Sequence, residues 1–535
     1  MRKIIIGALA TILILTGCPS MLDNADDDNG GGKQQEPAKV ENVRATVTGG
    51  TIELTWDETD GATAYNVYRS ASSTRLPDYV GEASTTTYVD DDPLPGDNYY
   101  AVEAVRNTVT GPWSDMLHVD NTYQPTSEPT NFVADYEGIY SATLMWDAVD
   151  IADEYRVYRS EDGGTTFAEI DESPVPGTKV VVLGLEPEQT YQFAVEAANA
   201  EGSGPRTDAI TITTTAPASD AQTTNYFGIH TMIEGNADID DQLSWAYHLV
   251  GEGGYLKQMF YNITENFVMP ENLWISFVRK SYDDYGMVPV CRLTGVFGDG
   301  FQYQPVTNDG APPTGPEDYS NIADAFKRVV EFLPRREGYP LYVEIWNEPN
   351  LIGEWGGEYP DPEEYTYFLI AAYNAIKSIG DPRIQVTNGA LSPGGNYNNV
   401  DFVEAMMTTV NEGVAAGDFT IAGDNPYPFD VWASHPYPGS NPPNVNNRTS
   451  TLGKVDGACV VDGYIKELEK IAAAVPGLDV GDIPVLITET GYVWDMNDVA
   501  KVGVDPHLPE HLYSGFTAQA FVDAWSQWDE IIGVT

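Results

Sequence analysis

The 535-residue sequence encodes a multidomain chain, two all-β sandwiches followed by an α/β region of the (β/α)8 type that stops within its eighth strand. Three observations predict this. The length allows roughly two to four domains, each with a core of its own. The chain repeats itself: Thr51-Ile-Glu-Leu-Thr-Trp-Asp57 returns as Ala142-Thr-Leu-Met-Trp-Asp147, with Trp56 and Trp146 ninety positions apart. From Tyr226 onward, apolar strand-like runs alternate with amphipathic helical stretches, the pattern of βα units on a parallel sheet.

In chain order, Met1-Arg-Lys is followed by an apolar run, Ile4 to Leu15, too short to span a membrane, so residues 1–17 read as a signal peptide. Leu15-Thr-Gly-Cys18 resembles the lipobox of bacterial lipoproteins. That resemblance implies acylation of Cys18 and export to a lipid-anchored position, the outer membrane or cell surface if the cell is Gram-negative. Residues 18–37, rich in Asp, Asn, Gly and Gln, cannot bury enough apolar surface to order themselves and form a flexible acidic tether. The net charge of −54, from 81 acidic against 27 basic residues, excludes nucleic acid as a partner and suits a saline exterior. Besides Cys18 only Cys291 and Cys459 are present, and spacing alone does not decide whether they pair.

Tyr65-Asn-Val-Tyr-Arg-Ser70 recurs as Tyr155-Arg-Val-Tyr-Arg-Ser160, and Ala101-Val-Glu-Ala104 as Ala194-Val-Glu-Ala197. Short alternating strands between Gly, Pro, Asp and Ser turns make sandwiches. The early Trp, the Tyr-x-Val-Tyr-Arg strand and the late Tyr191-Gln-Phe-Ala-Val-Glu-Ala197 resemble fibronectin type III domains, placed at residues 38–122 and 127–216. Leu185 and Tyr191 match that family's leucine and tyrosine-corner pair; in the first copy Asn98 stands where the Tyr belongs. Trp56 and Trp146 are expected in the cores, and both modules act as spacers.

Residues 225–535 then supply strands at Phe227 to His230, Leu256 to Asn262, Met287 to Thr294, Leu341 to Trp346, Arg383 to Thr387, Phe429 to His435, Pro484 to Glu489 and Ile531 to Thr535. Helices are expected at Glu271 to Tyr285, Asp318 to Leu333, Glu363 to Ile379, Val400 to Val410, Tyr464 to Val475 and His511 to Trp528. Eight strands with intervening helices predict a TIM barrel, whose chemistry sits at the strands' carboxyl ends. Its last helix is missing, so the barrel is read as incomplete at the C-terminus.

Leu341-Tyr-Val-Glu-Ile-Trp-Asn-Glu-Pro-Asn350 is a strand that ends in polar residues, and Pro349 cannot extend it. Period-two alternation puts Glu344, Trp346 and Glu348 on one face, and Val485, Ile487 and Glu489 on another. Two carboxylates at the mouth of one barrel meet the need of glycoside cleavage, an acid for the departing oxygen and a carboxylate to attack or to activate water. Glu344-Ile-Trp-Asn-Glu-Pro349, Ser434-His-Pro-Tyr-Pro438 and Thr488-Glu-Thr-Gly491 occur in an order that resembles the clan A retaining glycoside hydrolases, which carry glutamates on strands four and seven. The resemblance implies that Glu348 is the acid/base, Glu489 the nucleophile and Asn347 a partner of the sugar 2-hydroxyl. It also implies that His435 and Tyr437 contact the nucleophile or substrate. Arg292 either pairs with Glu489 or balances Glu344, and His230 at the end of strand one is a further candidate. Trp355, Tyr359 and Trp494 either stack on sugar faces or pack their loops. No clustered His or Cys motif calls for a metal, and no cofactor is implied. The chain is therefore expected to act as a monomer on carbohydrate; a non-catalytic glycan-binding protein with the same fold is the alternative.

Overall fold

The computed structural model describes residues 36–48, 50–121, 123–218, 224–233, 238–268, 272–423, 425–448, 460–492 and 509–535. The expected signal peptide, Cys18, Cys459 and Trp494 lie outside the described residues. The chain divides after Tyr123 into two compact units.

The first unit is a two-sheet β sandwich. Arg44–Thr48, Thr51–Thr55 and Thr87–Asp90 form one antiparallel sheet. Asp78–Ala83, Ala64–Ser70, Gly96–Arg106 and Val109–Thr110 form the other, with Leu117–Asn121 also paired to Gly96–Arg106. Alternation turns Ile52, Leu54, Tyr65 and Val67 inward onto Trp56. The Tyr65 ring meets Trp56 edge-on at 5.3 Å and its hydroxyl accepts from Thr59 N at 2.9 Å. Asn98 takes over the absent corner tyrosine: its Oδ1 accepts from Leu94 N at 3.0 Å and its Nδ2 donates to Leu94 O at 2.7 Å.

The second unit opens with a sandwich of the same topology, Lys179–Val182, Ala142–Met145 and Val133–Glu137 facing a sheet built on Glu154–Ser160 and Thr190–Asn199. Trp146 and Tyr155 repeat the ring pair at 5.4 Å. Here the corner is present, with Tyr191 Oη accepting from Glu186 N at 2.8 Å.

The remainder alternates strand and helix: β1 Gly228–Thr231, α1 Ile239–Val250, β2 Tyr255–Phe260, α2 Asn272–Asp283, β3 Val288–Leu293, α3 Ser320–Phe332, β4 Leu341–Ile345 and α4 Pro362–Lys377. It continues with β5 Ile384–Thr387, α5 Asn399–Ala416, β6 Trp432–Ser434, α6 Tyr464–Ala474, β7 Val485–Ile487, α7 Glu510–Gln519 and β8 Ile531–Val534. Local chemistry sets the helix ends. Asp361 accepts from Glu363 N and Glu364 N ahead of Pro362, which needs no donor in the first turn. Asn398 starts α5, and Gly417, in the left-handed region at φ 80°, ends it.

β1 to β5 pair in sequence order as a parallel sheet, and β6, β7 and β8 form a second one. Parallel bridges Thr387↔Val431 and Phe227↔Val534 link the sheets' edges. One face of the strands, including Leu256, Cys291, Val343, Val485 and Ile487, packs under the helices. The other gathers Tyr255, Val288, Val290, Tyr342, Val431 and Leu486. Cys291 is a free, buried thiol whose pKa burial pushes up.

Three expectations are corrected. Trp346 does not share a face with Glu344: β4 ends at Ile345, and Trp346 turns to φ 80°, which sends its indole to the helix side against Phe368. Glu489 does not share a face with Val485 and Ile487: those two pack under the helices, β7 ends at Ile487, and beyond it Glu489 reaches Arg292 on the opposite side. The run His511 to Trp528 is not one α-helix; after α7 it widens to a π turn over Ala520–Ala524 and tightens to a 3-10 turn over Trp525–Gln527.

Candidate functional site

Strand periodicity builds the site in layers. Two residues beyond Tyr255, Val290, Tyr342 and Leu486, toward the strands' carboxyl ends, stand Lys257, Arg292, Glu344 and Thr488. Arg292 and Glu344 are register partners across β3 and β4. The guanidinium Nε lies 2.9 Å from Glu344 Oε2 while Nη1 lies 2.6 Å from Glu489 Oε1. Both readings of Arg292 are therefore met by one side chain. Lys257 Nζ adds contacts at 3.1 Å to Glu344, 3.3 Å to Glu489 and 2.7 Å to the Thr488 carbonyl. Thr488 Oγ1 donates to Glu344 Oε1 at 2.8 Å. Lys257 and Glu344 are fully buried. Desolvating such ions costs several kcal/mol each, and the layer holds together because every charge meets two or more partners.

Glu489 crowns this layer. Burial opposes its ionisation, but Arg292, then His435 and the Tyr437 hydroxyl outweigh burial and hold the carboxyl well below the ordinary range. Tyr437 Oη donates to Glu489 Oε2 at 2.8 Å. Burial and the adjacent Glu489 push the Tyr437 pKa up, so it remains a donor. His230 Nδ1 is 3.9 Å from Glu489 Oε1, and its Nε2 is buried with no partner. Burial, then Arg292, lower the His230 pKa, which favours the neutral ring.

Glu348 is held differently. Its Oε1 lies 2.9 Å from Nδ1 of the fully buried His435, and no Lys or Arg stands within ion-pair distance among the described residues. His435 Nε2 lies 3.1 Å from Arg292 Nη2. An arginine can only donate, so in the neutral ring Nε2 accepts and the proton sits on Nδ1, donating to Glu348. Burial and Arg292 oppose a charge on His435, yet Glu489 and Glu348 outweigh them and raise its pKa.

The backbone delivering Glu348 is strained: Trp346 has φ 80° and Glu348 φ 33°, each costing on the order of 1–3 kcal/mol. Trp346 N donates to Leu293 O and Glu348 N to Ala390 O, both at 3.0 Å, and these bonds clamp the turn. Trp346 Nε1 donates to Glu354 O at 2.9 Å. Burial raises the Glu354 carboxyl to about 7 against the opposing hydrogen bond from Asn347. Asn347 Oδ1 is buried without a partner.

A cavity of about 400 Å3 opens beside Glu489, lined among others by His230, Tyr437, Tyr492, Phe521 and Trp525. A larger one, about 500 Å3, lies between the second sandwich and the C-terminal region at Tyr136, Asp523 and Trp528 and holds none of the expected site residues. The structure thus brings together Glu348, Glu489, Arg292, His435, Tyr437 and His230, with Asn347 beside Glu348. It does not bring Trp355, which is fully buried edge-on to Trp346 and Tyr365 and so has no ring face for a sugar. Tyr359 is 63% exposed, its hydroxyl donating to Asn396 O at 3.0 Å. Among the described residues no group of His, Cys, Asp or Glu is arranged to hold a metal, and no helix is long and apolar enough to cross a membrane.

Sequence reasoning missed Lys257, Glu354 and Thr488. Lys257 left a readable signal, since a lone Lys inside Tyr255-Leu-Lys-Gln-Met-Phe260 must be paired if the strand is buried. Glu354 left none; its burial depends on the fold of the loop.

Residues 127–213 match the fibronectin type III domain model, and this stretch is such a domain. The Beta-xylosidase of Geobacillus stearothermophilus is 26% identical over 175 residues, 32% of this chain and 32% of that protein. The Amylopullulanase of Thermoanaerobacterium saccharolyticum is 39% identical over 71 residues, 13% of this chain and 6% of that protein. The alignments span about a third or less of these relatives, and the chain is weakly related to glycoside hydrolases over part of its length. Among solved structures, the match to the chicken CNTN1 FN1-FN3 domains covers 34% of this chain and 69% of that one at 18% identity, with a TM-score of 0.17.

Proposed function

We propose that the C-terminal region is a (β/α)8 TIM barrel that hydrolyses O-glycosidic bonds with retention of anomeric configuration. The sequential parallel pairings and the two bridges between the sheets support the barrel. One observation carries the chemistry: two carboxylates meet at the strand ends in opposite environments, Glu489 against two cations and a tyrosine, Glu348 against a single imidazole. Opposed environments suit paired carboxyls to different roles, Glu489 as the ionised nucleophile and Glu348 as the group that exchanges a proton.

Glu489 attacks the anomeric carbon as the bond to the leaving oxygen breaks, and Glu348 passes its proton to that oxygen. His435 occupies Glu348 Oε1 and so leaves Oε2 for the transferred proton. Glu348, now ionised, takes a proton from water, whose oxygen attacks the same carbon and expels Glu489. Asn347 Oδ1 accepts from a sugar hydroxyl. The Beta-xylosidase match makes aryl β-xylosides and xylo-oligosaccharides the first compounds to assay. The leader through Cys18 supports, as part of this proposal, an exported lipid-anchored enzyme.

Glu489→Gln removes the nucleophile with little change of shape. Turnover of aryl β-xylosides, β-glucosides and β-galactosides is expected to fall by at least about four orders of magnitude, with binding retained. The first product detected by NMR should carry the substrate's anomeric configuration. Undiminished turnover in Glu489→Gln would sink the mechanism, and binding without turnover in the native protein would establish a glycan-binding protein instead.

A further inference from the structure

The helical run that leads into β8 has two working faces. His511, Gly515, Gln519 and Asp523 recur every four residues and meet the fibronectin type III domain. His511 Nε2 lies 3.0 Å from Lys179 O, and a Cβ on Gly515 would stand 2.8 Å from Val181. Gln519 Nε2 donates to Ser141 Oγ at 2.7 Å and Thr143 Oγ1 at 3.2 Å. Asp523 Oδ1 accepts from Ile139 N at 3.1 Å and Tyr140 N at 2.8 Å, and its Oδ2 from Ser141 Oγ. Four-residue steps drift around an α-helix of 3.6 residues per turn, and the π turn over Ala520–Ala524 offsets that drift and returns Asp523 to the row.

The second face, Thr517, Phe521 and Trp525, lines the cavity beside Glu489. Phe521 stacks on Phe227 at 4.9 Å, and its carbonyl accepts from Tyr226 Oη at 2.9 Å, just ahead of β1. Trp525 Nε1 donates to Val461 O at 2.9 Å. The row docked on the sandwich and the row lining the cavity are therefore opposite sides of one short rod.

We propose that the fibronectin type III domain at residues 127–213 is a positioning element of the site: by clamping Asp523, it sets the cavity wall of Phe521 and Trp525 beside Glu489. Asp523 is the positioning residue and touches no reacting atom. A carboxylate taking three donors from one tight loop of the partner domain fixes both the height and the rotation of the rod. The catalytic consequence rests on the glycosidase reading above; the mechanical one does not.

The test uses the full chain with Asp523→Ala, Asp523→Asn and Ser141→Ala. Hydrogen–deuterium exchange read by mass spectrometry is expected to show amides of residues 517–527 exchanging about tenfold faster or more in Asp523→Ala, with α4 unchanged. With whichever aryl glycoside the native enzyme hydrolyses, KM should rise at least about fivefold while kcat stays within about twofold, since ground-state placement is lost and the carboxylates are untouched. Asp523→Asn, which keeps an acceptor for both backbone amides, should return KM to within about twofold of native. Native exchange and native KM in Asp523→Ala would overturn the proposal. If Asp523→Ala fails to fold, Ser141→Ala, which leaves the rod intact, decides with the same readouts. A native protein that hydrolyses nothing overturns the glycosidase reading, and the exchange result then still decides the mechanical coupling.

Discussion

Lys257 carries the sharpest expectation at the level of single residues. Fully buried, it shares Glu344 and Glu489 with Arg292, so two cations serve two carboxylates. Methionine keeps the length and removes the charge. The Glu489 carboxyl is depressed in the folded chain, so its ionisation adds stability above the ordinary carboxylate pKa of about 4.3, a contribution lost as pH falls below that value. Removing one cation lets the pKa rise. The acid limb of kcat/KM in Lys257→Met should therefore move up by about one pH unit. With both carboxylates left to Arg292 alone, stability in urea unfolding at neutral pH should fall, by at most about the 3–5 kcal/mol of a broken buried pair. A pH–rate profile with its acid limb in place would refute this assignment. Much of the residue-level site was legible: Glu348, Glu489, His435 and Tyr437 sit in short polar words at strand ends, and strand ends are where chemistry is mounted. Lys257 was legible only conditionally: a lone Lys in an apolar strand calls for a partner if the strand is buried, but beside Gln258 it reads equally as a solvent end until the strand's neighbours on both sides are known.

At the level of elements, the turn after β4 shows what alternation does and does not dictate. Period two holds through Tyr342 and Glu344, then fails where Trp346 and Glu348 take positive φ and the chain reverses out of the sheet. No local signal marks that reversal apart from Pro349, so the sequence locates the carboxylate but misplaces the indole. The same loop separates its two aromatics. Trp355 is a core residue between Trp346 and Tyr365, whereas Tyr359 is 63% exposed. Trp355→Ala should destabilise the second unit by about 3–5 kcal/mol, the range for emptying a buried aromatic site. Tyr359→Ala should stay within about 0.5 kcal/mol, as surface changes do. Thermal melts of both variants check this; equal, small losses would return Trp355 to the list of sugar platforms. The helix before β8 was also only half legible: its apolar period announced a helix from His511, but a π turn differs from an α turn by one residue per turn, which periodicity over five residues does not resolve.

On the scale of the whole molecule, charge is the dominant sequence property, and it makes a prediction independent of the site. The 81 acidic and 27 basic residues are spread over sandwiches and strand–helix units alike, so the excess is not confined to the acidic tether at residues 18–37. Several basic residues are already committed to pairs: Arg69 to Asp90, Lys377 to Asp430, Arg292 and Lys257 to the site carboxylates. The unpaired excess of −54 repels itself in the compact state more than in the expanded one. Salt shortens the reach of that repulsion from about 10 Å at 0.1 M to about 3 Å at 1 M. The melting temperature should therefore rise by several degrees between about 0.05 and 1 M sodium chloride, about 1 kcal/mol of stability moving it by roughly 2–4 °C in domains of 150–250 residues. An equal osmolality of sucrose separates screening from general exclusion at the surface, because sucrose leaves Coulomb repulsion untouched. Buried pairs such as Lys257 with Glu344 respond little to salt, so the acid limb of the pH–rate profile should hold its place across the same range even as the melting temperature climbs. A melting temperature flat in sodium chloride would mean that the acidic surface is neutralised by other means, and the saline-exterior reading of the composition would fall with it.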